Sequence, residues 1–277
     1  MKKIFKLFIV PALVTMAACS NDDDIAKNLA DEIKGEYAGY TLSSSNYFSN
    51  MVTTDENVTI TATSTLNQVD ITYISETLGT TTISGAVVSG SNGDYTITGT
   101  GNAEMGHGGS TSTYDCTVAG TITNGVADLT FKYPTVMGGF TIEFLQGEIP
   151  ATVVLPGNYT GYVNAVAQYF PTGMKSDDQS LTITLNENEQ YSLKYTSDTW
   201  GTFNFDDIEV KTDDKGSFML NGSGICTMGM NGSSKDYDCT FTATIDPEKE
   251  NPEFVFTVPS VMGGLTITFY TGSMPTE

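Results

Sequence analysis

The sequence predicts an all-β protein built as two tandem eight-stranded antiparallel barrels. Three observations carry that expectation. The stretch Pro134-Thr135-Val136-Met137-Gly138-Gly139-Phe140-Thr141-Ile142 returns as Pro259-Ser260-Val261-Met262-Gly263-Gly264-Leu265-Thr266-Ile267, with seven of nine residues unchanged. Other segments repeat at almost the same spacing: Gly35–Tyr40 as Gly157–Tyr162, Tyr114–Thr117 as Tyr237–Thr240, and Gly147–Pro150 as Gly272–Pro275. Between them, Thr, Val, Tyr and Phe alternate with polar residues at the period of a half-buried strand. Each copy has the length of an ordinary domain, and solenoid repeats are much shorter.

The N-terminus stands apart from the duplication. Lys2, Lys3 and Lys6 precede an apolar run, Leu7–Met16, that is too short to span a bilayer. It ends in Met16-Ala17-Ala18-Cys19, which resembles a bacterial lipoprotein signal with Cys19 as the lipidated residue. Residues 1–18 are then a signal peptide. The acids of Ser20-Asn21-Asp22-Asp23-Asp24 resemble the signal that sends Bacteroidetes lipoproteins to the outer face of the outer membrane. We expect residues 19–33 to be an acidic tether, residues 34–150 the first barrel and residues 156–277 the second. Ile25, Leu29 and Ile33, four apart, allow a short amphipathic helical turn before the first barrel.

In the second copy we expect strands at Tyr159–Ala165, Ser180–Leu185, Gln190–Thr196, Thr202–Lys211, Ser217–Met228, Lys235–Ile245, Glu253–Pro259 and Leu265–Thr271. Turns at Asn186–Glu189 and Asp213–Gly216 join them, and the first copy gives a matching set. Eight sequential antiparallel strands suit an up-and-down barrel, which leaves no open edge. In the repeated stretch, Gly138-Gly139 suits a two-residue hairpin. That pairing sets Met137 opposite Phe140 and gives an inward face of Leu129, Phe131, Tyr133, Met137, Phe140, Ile142 and Phe144.

Four cysteines are present: Cys19, Cys116, Cys226 and Cys239. A turn at Gly232-Ser233 sets Cys226 directly opposite Cys239, within reach of a disulfide in an oxidising compartment. The same count in the first copy sets Ala103 opposite Cys116, which stays a free, buried thiol.

Composition narrows the function. The formal net charge is −21 and all 12 basic residues are lysines, so a nucleic-acid backbone has no positive surface to meet. His107 is the single histidine, which leaves no histidine triad in each copy and no zinc-type cluster. Adjacent carboxylates such as Asp206-Asp207 point to opposite faces of a strand and make poor acid–base partners. We therefore expect no enzyme activity, no cofactor and no metal site.

The duplicated unit, the tyrosine-bearing first strand and the Pro-x-Val-Met-Gly-Gly hairpin resemble the calycin-like β-barrel lipoproteins of gut Bacteroidetes. Where lipocalins carry Gly-x-Trp packed on an arginine, this chain has Gly35-Glu36-Tyr37 and Gly157-Asn158-Tyr159 and no arginine. The resemblance implies a binding module on the cell surface, held to the outer membrane by its lipid, for a small apolar molecule or a glycan. Candidate ligand-binding residues at the barrel mouths are Tyr37, Met105, Tyr159, Trp200, Met228 and Met230. The alternative is a structural, protein-interaction subunit of an outer-membrane surface complex with a protein partner. A lumen filled by Phe, Met and Tyr side chains would count against a carrier of small molecules.

Overall fold

Sixteen strands follow one another among the described residues, which in this computed structural model are 27–107, 110–230, 233–248 and 251–275. The first eight are β1 (Gly35–Ser44), β2 (Met51–Ala62), β3 (Gln68–Ser75), β4 (Gly79–Ser91), β5 (Asp94–His107), β6 (Ser110–Thr123), β7 (Val126–Tyr133) and β8 (Phe140–Gln146). The second eight are β9 (Gly157–Ala167), β10 (Phe170–Leu185), β11 (Tyr191–Ser197), β12 (Gly201–Thr212), β13 (Phe218–Met230), β14 (Ser233–Ile245), β15 (Glu253–Val258) and β16 (Leu265–Thr271). Within each barrel every strand pairs antiparallel with the next, and β1 with β8 and β9 with β16 close the two barrels. Alternation fixes which face turns inward. On β7, Ala127, Leu129, Phe131 and Tyr133 are buried while Asp128 and Lys132 are not.

A short helix plugs one end of each barrel. Helix α1 (Ala30–Ile33) precedes β1, and α2 (Ala151–Val154) precedes β9. Ala30 and Ile33 are fully buried in the first core, and Leu155 in the second. The approach to α1 is pinned by an exchange of amide bonds. Leu29 N donates to Asn67 Oδ1 and Asn67 N donates to Asn28 Oδ1, both at 2.8 Å. The helical turn foreseen near Ile33 is thus part of the first barrel, and the span read as a tether ends inside the fold. Cys19 and the signal peptide lie outside the described residues.

Two registers differ from those read in the sequence. Tyr133 pairs with Phe140, Phe131 with Ile142 and Leu129 with Phe144. The connection is therefore the six residues from Pro134 to Gly139, not a two-residue turn. Proline ends the strand because it has no N–H to donate. Met137 takes a left-handed conformation, φ 46°, and Met262 repeats it with φ 52°. Because the shift is an even number of residues, the other inward residues keep their face. Met137 and Met262 leave it and become exposed.

In the central hairpin of the second barrel Met230 pairs with Ser233, which puts Cys226 opposite Tyr237 and Cys239 opposite Gly224. Cys226 and Cys239 are diagonal neighbours on the inward face, and both are free thiols. Their side chains nevertheless meet, the two thiols lying within hydrogen-bonding reach of each other. In the first barrel Gly101 faces Cys116 and Ala103 faces Tyr114; Cys116 is a buried free thiol.

Candidate functional site

The two ends of each barrel serve different purposes. At the plugged end, Tyr37 donates its hydroxyl to Ile33 O at 2.6 Å, and Tyr159 donates to Leu155 O at 2.8 Å. Both tyrosines tie a plug to its barrel, so neither lies at the mouth where sequence reading placed it. At the other end, four half-buried or buried apolar side chains close over the lumen. They are Phe48, Leu78, Met105 and Val136 in the first barrel. Their counterparts in the second are Phe170, Trp200, Met228 and Val261. Phe48 packs edge-on against Phe140 with ring centroids 6.1 Å apart, and Phe170 packs against Trp200 at 6.0 Å. Met105, Trp200 and Met228 are therefore brought together at mouths, as lid residues. The side chain of Met230 lies outside the described residues.

Beneath the lids the lumens differ. The second is filled by Tyr195, Phe203, Phe205, Phe241, Phe254, Phe256 and Phe269, all fully buried. Their ring centroids lie 4.7 to 6.2 Å apart in stacked, tilted and edge-on pairs, the spacing of a packed aromatic core. The first lumen is apolar near its plug, with Val58, Ile60, Val69, Ile71 and Ile97. Toward its lid it turns polar. Thr41, Ser43, Glu56, Tyr73, Ser75 and Thr81 are all buried there. Ser75 Oγ donates to Glu56 Oε1 at 2.8 Å, and Thr81 Oγ1 bonds the Tyr133 hydroxyl at 2.7 Å. Glu56 Oε2, Tyr73 OH, Thr41 Oγ1 and Ser43 Oγ have no hydrogen-bond partner in the protein. Burial pushes the Glu56 carboxyl above its ordinary range, against the hydrogen bond from Ser75 and the neighbouring Tyr73 hydroxyl.

A cleft of about 590 Å³ opens between the barrels. Its lining from the first barrel includes Tyr40, Thr54, Asp55, Asn57 and Glu148; the second contributes Asp214, Lys215 and Asp246. The two sides are held in contact. Tyr40 and Ile149 join the hydrophobic cluster of the second barrel, with Leu42, Val52 and Leu145 packed against it. Thr54 donates both its N–H and its hydroxyl to Glu248 Oε1, the latter at 2.7 Å. The volume falls in the range of small-molecule sites, and the lining carries four carboxylates, Asp55, Glu148, Asp214 and Asp246, beside one lysine.

The sequence profile of the calycin-like β-barrel domain matches twice, at residues 33–145 and 155–273. The chain belongs to this family. The two calycin-like barrels also resemble a crystal structure from Bacteroides fragilis, provisionally described as an outer membrane protein. Identity is 22%, with a TM-score of 0.58, over 88% of this chain and 99% of that one. That likeness concerns the fold. A protein of unknown function from the DUF3598 family of Nostoc punctiforme aligns over 88% of this chain and 97% of that one. Its identity is 10% and its TM-score 0.27, too slight to carry an argument. No curated protein matches the chain.

Sequence reading missed the cleft and the polar lumen of the first calycin-like barrel. The cleft could not be found because it depends on how two closed units pack. The lumen left a trace. Aligning the copies sets Thr41 against Val163, Ser43 against Ala165 and Glu56 against Gln179, two polar-for-apolar exchanges and one carboxyl-for-amide exchange on an inward face.

Proposed function

We propose that this calycin-like protein is a lipid-anchored binding module of the outer membrane that takes a polar, hydroxyl-rich ligand, such as an oligosaccharide, in the cleft between its barrels. One observation carries the choice: a ligand-sized cleft offers Asp55, Asn57, Glu148, Asp214 and Asp246, while the second lumen is packed with aromatic rings. Carboxylates and amides accept and donate to sugar hydroxyls without needing a cationic partner. A carrier of small apolar molecules has less support, because its cavity in the second barrel is occupied by side chains. Lipidation at Cys19 supplies the anchor in this reading, and the acidic stretch after it agrees with exposure at the cell surface. The role in this reading is binding without catalysis.

The test is glycan-array screening of the soluble protein, followed by calorimetric titration of any hit. Replacing Asn57 or Asp214 with Ala should weaken binding about tenfold or more, the effect of losing one good hydrogen bond to a buried ligand. Unchanged affinity in both variants would remove the cleft from the account. A second reading, an interaction subunit of a surface complex, is favoured by matched exposed residues at the two mouths. Tyr47 and Tyr169 are 80% and 77% exposed, beside exposed Met137 and Met262. Cross-linking in the native membrane, with loss of the product in a Tyr47→Ala, Tyr169→Ala variant, would support it.

A further inference from the structure

The lid end of the first lumen has the make-up of a site of its own, distinct from the cleft. We infer that Glu56, Thr41, Ser43 and Tyr73 hold one small monovalent cation, an alkali ion or an ammonium group, inside the first barrel.

Three features lead there. First, four oxygens, Glu56 Oε2, Thr41 Oγ1, Ser43 Oγ and Tyr73 OH, are buried without a protein partner. Each belongs to a residue no more than 3% exposed. A buried polar atom without a partner is costly, so four together in one place call for a guest. The Tyr73 hydroxyl borders Glu56, Ser75 and Thr41, and Ser43 is the next inward residue after Thr41 on β1. Second, the donor set is all oxygen, with a single carboxylate. Oxygen ligands suit hard cations and ammonium groups; a divalent ion such as calcium is held by more oxygens and more charge. One carboxylate balances one positive charge. Third, the field is negative. Glu76 and Glu248 both act on Glu56, and among the described residues no lysine does, so a cation is favoured over an anion.

The second barrel serves as an internal control. At the equivalent positions it has Val163, Ala165 and Gln179, and Tyr195 donates its hydroxyl to Gln179 Oε1 at 2.7 Å. The carboxylate is gone, two hydroxyls are gone, and the remaining tyrosine is satisfied.

Thermal unfolding of the mature protein in sodium, potassium, ammonium, methylammonium and choline chlorides, at matched ionic strength, tests the site. At least one of the four small cations should raise Tm by about 2–4 °C or more over choline, saturably. Glu56→Gln should abolish that rise, and Thr41→Val should do so if Glu56→Gln fails to fold. A response to alkali ions alone assigns a metal ion; a response to ammonium and methylammonium assigns an amine. Identical Tm in all five salts, or a cation response that survives in both variants, would overturn the inference and leave a lumen that holds only water.

Discussion

The two barrels share a chain path and differ in what fills them. Plug helix, plug-binding tyrosine, four-residue lid and left-handed methionine appear in both. Yet Thr41, Ser43, Glu56, Thr81 and Tyr133 line the first lumen where Val163, Ala165, Gln179, Phe203 and Val258 line the second. The strand framework depends on alternation and closure, which both copies keep. Lumen chemistry is free to change within that frame. The second copy used the freedom to build an aromatic core, and the first kept buried oxygens. The second is then the stable body of the molecule, and the first, with the seam between them, carries the polar sites.

The largest expected effect lies in the aromatic core. Phe256 touches Tyr195, Phe203, Phe205 and Phe241, whereas its counterpart Phe131 stacks on Tyr73 alone. Phe256→Ala should lose stability near the top of the range of about 3–5 kcal/mol for such truncations, and Phe131→Ala near the bottom. Denaturant unfolding of the whole chain measures both, and the reverse order would break the comparison.

Next comes the buried carboxyl. Its folded pKa is raised by burial from an ordinary 4.5. The folded state therefore holds its proton longer than the unfolded state, so the stabilisation is present below about pH 4.5 and is lost as pH rises through the raised value. In choline buffer the wild type should lose stability across that rise, and Glu56→Gln should not. A flat wild-type profile would mean that Glu56 is well solvated.

The thiols and phenols set a further, alkaline limit. Burial pushes Cys239 up to about 12 and Cys116 up to about 11, from 9.0. Tyr159 and Tyr195 rise to about 12 from 10.0. Unfolded thiols and phenols release their protons first, so stability holds below pH 9 and falls as pH rises toward the folded values. The urea midpoint should decline steadily above pH 9. A thiol reagent at pH 8 should leave Cys116, Cys226 and Cys239 unmodified in the native protein and modify all three in denaturant without reductant. Only one modified thiol among them would instead reveal a Cys226–Cys239 bond. The smallest effect belongs to the seam. Thr54→Val removes one exposed bond to Glu248 and should cost less than about 1 kcal/mol.

Fold class, duplication and strand number were legible because period-two alternation and closure leave a direct mark on sequence. Registers were less so. The Gly138-Gly139 pair suggested a tight hairpin, but Pro134 had already ended the strand and Met137 absorbed the turn. The central hairpin slipped as well: a turn at Gly232-Ser233 would pair Cys226 with Cys239, whereas the strands pair Met230 with Ser233 and Cys226 with Tyr237. That slip turns the directly opposed Cys226–Cys239 pair into a diagonal one. The mouth residues were half legible. Met105, Trp200 and Met228 do gather at lids, whereas Tyr37 and Tyr159 face plugs that the sequence showed only as a few apolar residues before a glycine.

The asymmetry between the lumens is tested most directly by exchanging their residues. Thr41→Val with Ser43→Ala gives the first barrel the side chains of the second, and Val163→Thr with Ala165→Ser does the reverse. Compared by urea unfolding in choline buffer, the first exchange should keep or raise stability, and the second should lose about 1–3 kcal/mol for each hydroxyl it strands. Equal losses from the two exchanges would show that the hydroxyls of the first barrel are satisfied within the fold, and would contradict the account.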